Sequence, residues 1–399
     1  MQLQCDVSRL LRRYEDRINH TGIDRVNLDY AKWAISLGGR MCIQRGHWLE
    51  IISRSMGDDL LAGSSISKKF PPGASHASRL GSLRELLSSL SSLSSLSSAR
   101  ETPASSIILN PSHAWLGRLD VWDWLMQRGN QVFTFIHDLI PIEFPEYVGS
   151  AEKKRHVERI NNALRYSRGI VVNSGCTELS LVAYAKRAGL AVPPVLVAPL
   201  GYSREAGRGL AMSPVPGLQS PYFVFVGTIE PRKNHLMILT VWRELARRFG
   251  DATPKLVIVG RRGWECEQII DLLDRCEALH PHVIELNEAS DETVVGLTRG
   301  ARALLLPSFA EGFGMPVQEA LALGTPVIAS PLPTFLEIAG DIPEYAEPFD
   351  GVRWLHLIMD YTDPESLGRK HQLERMQGFQ ETSWQSHFKK VELFIHAVT

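Results

Sequence analysis

The sequence predicts an α/β protein built from two doubly wound parallel-sheet domains. Three observations predict it. Short apolar runs recur, VFTFI at 132–136, YFVFV at 222–226, LVIV at 256–259 and ALLL at 303–306, each the length of one buried strand. Turns and helical patterns follow such runs, and this alternation argues for parallel sheets covered on both faces. The stretch 203–221 has neither pattern but carries glycines, Pro214, Pro216 and serines, and reads as a linker between two domains.

Composition removes several function classes. A chain of 399 residues is long enough for two domains of ordinary size. Hydrophobic content of 44% is that of a globular protein, and a formal net charge of -1 gives no field that would draw in nucleic acid. The start, MQLQCDVSRLL, lacks the cationic and apolar regions of a secretory signal. No apolar run approaches the roughly 18 residues of a membrane helix. Cys5, Cys42, Cys176, Cys266 and Cys276 are scattered without a CxxC pair, which suits reduced thiols in the cytoplasm and neither a disulfide framework nor a zinc site.

In chain order, Asp6 to Leu11 reads as a first strand, ambiguous with helix. Gly22 precedes an amphipathic helix through Leu28, Ala31, Trp33, Ala34 and Leu37. Residues 62–106 are a low-complexity insert, with SSLSSLSSLSS at 88–98; a linker or lid is expected, an amphipathic lipid-facing segment being the alternative. Ser106 to Leu109 is a strand, Trp115 to Gln127 a helix, and Val132 to Ile136 a strand ending in His137-Asp138. That end is where ligand sites of α/β sheets lie. Glu152 to Ser167 is a helix with Val157, Ile160 and Leu164 inward. Its outward Lys153, Lys154, Arg155 and Arg159 are a solvated face or a patch for anionic lipid. Gly169 to Val172 is a strand, Thr177 the cap of a helix ending at Gly189, and Val195 to Ala198 the last strand of this half.

The second half repeats the pattern. Tyr222 to Val226 leads through GTIEPRKN to a helix from His235 to Phe249. Arg232 and Lys233 beside that turn are good phosphate ligands, a planar fork and a point charge. Leu256 to Val259 and His282 to Leu286 are strands, and Asp291 caps a helix to Arg299. Ala303 to Leu306 is a strand, followed by a loop from Phe309 to Met315 and a helix from Val317 closed by Gly324. Pro316 suits a helix start. Strand, glycine loop and helix N-terminus aim backbone N–H groups at one point, where an anion such as a phosphate belongs. Glu311 in the loop and Glu319, placed in the first helical turn, flank that point. Carboxylates beside a phosphate site need another object, and sugar hydroxyls are the obvious one, so the pattern points to a nucleotide sugar.

The combination EGFGxPxxE at 311–319 resembles the Glu-x7-Glu signature of the retaining nucleotide-sugar glycosyltransferases of family 4, which have the GT-B fold. The resemblance is fullest over 222–350, less over 130–205 and slight over 40–106. It implies two domains facing across a cleft. One is an acceptor-side domain, 1–205, carrying the insert. The other is a nucleotide-sugar domain, 222–380, followed by a helix, 381–399, that crosses back. It implies that Glu311 contacts the transferred sugar, that the loop of Gly312, Phe313, Gly314 and Met315 lies against sugar and pyrophosphate, and that Glu319 binds the ribose. Lys233 matches the family lysine at the pyrophosphate. Thr228 stands where many members carry an arginine, a departure that Arg232 would compensate. HDLIPIEFPEY at 137–147 resembles the family's interdomain segment, whose histidine, here His137, reaches the donor sugar. TGIDRV at 21–26 looks like bacterial polysaccharide glycosyltransferases and puts Gly22 at the donor phosphates.

EPRKNH and HDLIPIEFPEY are similar to bacterial mannosyltransferases. The likeness implies mannose from GDP-mannose moved to a lipid-linked or oligosaccharide acceptor, in the cytoplasm or in peripheral contact with the inner face of the membrane. No cofactor or metal is expected, since no DxD run is present. Three alternatives are weighed. A nicotinamide oxidoreductase would need GxGxxG after a strand, which neither half carries. A UDP- or dTDP-linked donor and a non-catalytic sugar-nucleotide-binding protein both fit the same fold.

Overall fold

The computed structural model of the protein describes residues 2–15, 22–61, 101–202, 218 and 221–399. The serine–leucine segment 84–100, most of the insert and nearly all of the linker lie outside the described residues. The chain divides into two compact units, Met1–Phe135 with Tyr166–Arg168, and Ile136–Arg165 with Gly169–Thr399. Each is an α/β structure on parallel strands.

The first unit runs β1 (Leu3–Asp6), α1 (Ser8–Glu15), α2 (Gly22–Ser36), β2 (Arg40–Arg45), β3 (Trp48–Ile51), α3 (Arg54–Leu61), β4 (Ile107–Asn110), α4 (Leu119–Gln127) and β5 (Gln131–Ile136). Its strands lie in the order β3-β2-β1-β4-β5. All neighbours are parallel except β2 and β3.

Three local expectations fail here. The first strand ends at Asp6, where it was expected to begin. Asp6 Oδ1 accepts from the Ser8 amide at 3.3 Å and the Ser8 hydroxyl at 2.5 Å, a side-chain-to-backbone turn that releases the chain into α1. The helix expected from Trp115 starts only at Leu119, because His113 and Trp115 hold φ of 60° and 47°, outside helical space. The hairpin β2–β3 was not foreseen. Its signal is the two-residue turn Gly46-His47, with Gly46 at φ 56°, between two short apolar alternations.

The second unit continues with α5 (Ile140–Glu143), α6 (Glu152–Tyr166), β6 (Gly169–Val172), α7 (Gly175–Ala188) and β7 (Val195–Val197). Then come β8 (Tyr222–Val226), α8 (His235–Phe249), β9 (Lys255–Val259), α9 (Glu267–Arg275), β10 (Val283–Leu286), α10 (Asp291–Gly300), β11 (Leu304–Leu306) and α11 (Met315–Ala322). The chain closes with β12 (Val327–Ala329), α12 (Pro333–Ala339), β13 (Glu344–Tyr345), α13 (Gly351–Thr362), α14 (Leu367–Met376) and α15 (Trp384–Val398). The later strands form a parallel sheet in the order β10-β9-β8-β11-β12-β13.

The central strands of that sheet, β8, β11 and β12, are covered on both faces, which is why they are apolar without interruption. Alternate residues of β8 and β9 point to opposite sides. Phe223, Phe225, Leu256 and Ile258 pack with Trp242 of α8 and Trp354 and Ile358 of α13. Val224, Val257 and Val259 pack with Val317 and Leu321 of α11 and Phe335 of α12. Helix caps sit one to three residues earlier than expected. Ser174, not Thr177, caps α7, and Ser290, not Asp291, caps α10, each hydroxyl accepting from the amide three residues on.

Trp242 is fully buried, stacks edge-on against Phe223 and donates its indole N–H to Pro254 O at 2.9 Å. Trp242→Ala removes that contact area and orphans the carbonyl. Urea unfolding should show a loss of about 3–5 kcal/mol.

Candidate active site

The site is assembled in the second unit from the turns after β8, β11 and β5. The turn after β8 is a single 3-10 turn, Pro231–Lys233, ending in Asn234 at φ 63°. Asparagine tolerates that left-handed conformation. Its side-chain amide donates to Pro348 O at 2.6 Å and Pro307 O at 3.2 Å, tying the turn to the exit of β11. The Phe309 amide donates to Arg232 O at 2.9 Å and draws the two turns together.

Between them lies a four-residue charge cluster. Arg232 donates to Glu311 Oε2 at 2.6 Å, to Glu230 Oε1 at 2.5 Å and to Ala310 O at 2.6 Å. Lys233 Nζ donates to Glu311 Oε1 at 2.6 Å, and the Ser308 hydroxyl to the same oxygen at 2.7 Å. Glu311 is only 9% exposed in its side chain and Glu230 4%. Burial pushes the Glu311 carboxyl up, but Arg232 and Lys233 outweigh it and bring it down to about 2. Burial likewise opposes the charge of Arg232, and Glu311 and Glu230 more than restore it. Two anions and two cations sum to zero, so the cluster is neutral as a whole. An ammonium carries three donors, and the bond to Glu311 uses one of those on Lys233.

The glycine loop is shaped by two close approaches. A Cβ on Gly312 would lie 2.5 Å from His137 O and 2.8 Å from Asp138 Cβ. Gly314 caps α11 at φ 110°, with the Phe335 ring 2.5 Å from where its Cβ would be. Only glycine fits at either place. The loop thus rests against the end of β5, as the His137 segment requires. The His137 carbonyl accepts from Asn173 Nδ2 at 2.8 Å. The Asp138 carbonyl lies 3.1 Å from His156 Nε2; a carbonyl only accepts, so that nitrogen bears the proton.

The structure therefore brings Arg232, Lys233, Glu311, Gly312 and the His137 backbone together, with Phe313 buried and Met315 at the first position of α11. Thr228 is half-buried in the turn after β8, where the Ile229 amide donates to Arg261 O at 2.9 Å. Two placements differ from expectation. Helix α11 begins at Met315, so Glu319 stands in its second turn, with Oε1 buried. Gly22 is the first residue of α2, in the first unit, and not a turn residue before it. Sequence reasoning missed Glu230, Ser308 and Asn173. Glu230 was legible as the acid of EPRK, Ser308 as a hydroxyl three residues before Glu311, and Asn173 as a polar residue at a strand's carboxyl end, the argument that singled out His137.

Residues 214–342 match the family described as glycosyl transferases group 1. The serotype-specific mannosyltransferase WbdA of Escherichia coli is 39% identical over 132 residues, which is 33% of this chain and 16% of that protein. The O-antigen chain mannosyltransferase B of Escherichia coli is 35% identical over 129 residues, 32% of this chain and 33% of that one. The chain thus spans a sixth to a third of the length of these relatives. The structure of Anabaena Alr3699/HepE in complex with UDP and glucose superposes with a TM-score of 0.63 at 14% identity, over 99% of this chain and 100% of that one. At that identity the likeness speaks to the fold, which is GT-B.

Glu311 gives an acid-sensitive contribution to stability. Its folded carboxyl lies near 2, below the usual 4.5, so its stabilisation is complete above about 4.5 and is lost as pH falls toward 2. Glu311→Gln removes the carboxylate that Lys233 bonds and leaves Arg232 with Glu230 alone, and should lower stability by about 3–5 kcal/mol at pH 7. Chemical unfolding of both proteins from pH 7 to pH 2 should find the difference constant down to about 4.5 and closing toward pH 2.

Proposed function

We propose that this chain is a retaining glycosyltransferase that moves a hexose from a nucleotide diphosphate sugar to an acceptor hydroxyl. The donor we propose is GDP-mannose, and the acceptor a lipid-linked or oligosaccharide intermediate of a bacterial surface polysaccharide. The observation that carries this reading is the buried Glu311 carboxylate, paired to Arg232 and Lys233 at the mouth of a glycine loop. The names of the matched mannosyltransferases support the choice of mannose and of polysaccharide assembly.

The geometry suits the chemistry. Glu311 is ionised at neutral pH and too weak a base to take the acceptor's proton. It would instead accept hydrogen bonds from the sugar and stabilise positive charge developing at the anomeric carbon. The acceptor oxygen bonds to that carbon, the carbon–phosphate oxygen bond breaks on the same face, and the acceptor's proton passes to the departing phosphate. Lys233, Arg232 and the N-terminus of α11 would stabilise the charge on that leaving group without a metal. His137, Thr228 and the loop of Gly312, Phe313, Gly314 and Met315 would line the donor, and Glu319 would hold the ribose. Among the described residues no helix is long and apolar enough to cross a membrane. Peripheral contact with a membrane-borne acceptor is part of the proposal.

A panel of nucleotide sugars tests the donor. GDP-mannose should raise Tm and be turned over equally well with EDTA present. A shift with UDP- or dTDP-sugars alone would reject the guanine nucleotide, and binding without turnover would make the protein a non-catalytic binder. The two glutamates divide binding from turnover. Glu319→Gln should weaken GDP binding about ten- to a hundredfold, the range for a lost hydrogen bond to a charged group, and raise KM with little change in kcat. Glu311→Gln should bind GDP near normally and lower kcat. Titration with GDP decides it, the opposite order of affinities meaning that the two roles are exchanged.

A further inference from the structure

We infer that Asn173 and Thr177, where β6 turns into α7, are positioning residues that clamp the glycine loop to the end of β5. This rests on the transferase reading for its consequence in catalysis, though not for the clamp itself.

Asn173, Ser174 and Thr177 are all buried. Asn173 Nδ2 donates to His137 O at 2.8 Å, and Asn173 Oδ1 accepts from the Thr177 hydroxyl at 2.9 Å. The hydroxyls of Ser174 and Thr177 each lie 3.2 Å from Gly312 O. Ser174 Oγ also accepts from the Thr177 amide at 3.0 Å. Each hydroxyl has one proton to give. The Ser174 hydroxyl lies nearest Thr177 Oγ1, at 3.0 Å, and gives its proton there, so the Thr177 proton is shared between Asn173 Oδ1 and Gly312 O. Every acceptor is then satisfied, and the network closes.

Capping α7 explains only part of this. A cap requires the Ser174 oxygen and the Thr177 amide. It does not require an asparagine amide reaching a carbonyl 36 residues away, nor a second hydroxyl against a carbonyl 135 residues away. Those bonds join the two segments whose backbones meet at Gly312, where a Cβ would stand 2.5 Å from His137 O. The glycine permits the approach and the clamp holds it.

The clamp also aims donors. Gly312 C=O and Phe313 N–H belong to one planar trans peptide and point in opposite directions. Fixing the carbonyl toward α7 fixes the Phe313 N–H on the far side of the loop. The Asn173 bond does the same for the peptide joining His137 and Asp138. Two N–H groups at the candidate site thus owe their direction to a turn outside it.

Hydrogen exchange in the nucleotide-free protein tests this, with turnover as a second readout. Thr177→Val keeps the shape and removes the hydroxyl; Thr177→Ser returns it. Exchange across 309–315 should quicken about tenfold in Thr177→Val, the factor for one lost neutral hydrogen bond, and return to normal in Thr177→Ser. Turnover of GDP-mannose should fall and recover in step, with GDP affinity little changed. Asn173→Ala should quicken exchange across 135–141, and it supplies the same test if Thr177→Val does not fold. Unchanged exchange at both segments in folded variants overturns the inference, whatever the activity. If the wild type turns over no nucleotide sugar, the transferase reading fails while exchange still decides the clamp.

Discussion

The second unit depends on one electrostatic constraint: a carboxylate has been taken out of water at Glu311 and must be neutralised where it sits. A buried ion left unpaired costs several kcal/mol. The structure meets that cost with two cations from adjacent positions on another strand's exit, Arg232 and Lys233. A fork and a point charge can both reach one carboxylate only if the turns after β8 and β11 stay in contact. The Asn234 amide and the bond from the Phe309 amide to Arg232 O keep them so. Glu230, on the outer side of the guanidinium, fixes its plane.

A second constraint is steric. The loop must pass the end of β5 with no side chain between, and Gly312 supplies the room. Polar groups on the turn into α7 then replace the water that would otherwise bind these carbonyls. Charge pairing on one side of Glu311 and carbonyl clamping on the other leave the loop little freedom. In the proposed transfer, such rigidity would keep donors facing the charge that develops on the leaving group.

The strands of the second half were legible almost residue by residue. YFVFV is β8 as read, and the helix from His235 to Phe249 is α8 as read. A run of four or five apolar residues, β-branched or aromatic as in YFVFV, is too short for a helix and reads as a buried strand. The first half was less legible because its signals compete locally. DVSRLLRR has both strand and helix character, and the turn at Asp6 and Ser8 decided between them. The tryptophan-rich run at 115–127 has helical composition, but the Asn110 amide holds Ala114 O at 2.7 Å and keeps the preceding turn out of helix.

The sequence by itself determined the parallel α/β architecture of the second half, the glycine loop and the position of Arg232, Lys233 and Glu311 in the turns after its strands. Each of these is written in residues close together in the chain, as a period, a turn or a spacing. Tertiary structure alone decided that both cations meet one carboxylate, and that Asn173 and Thr177 reach the His137 segment and the glycine loop. Those pairings join residues 36 to 135 positions apart. Hydrogen bonds and ion pairs act over a few ångströms of space, and no local pattern encodes which distant turns the sheet will bring that close.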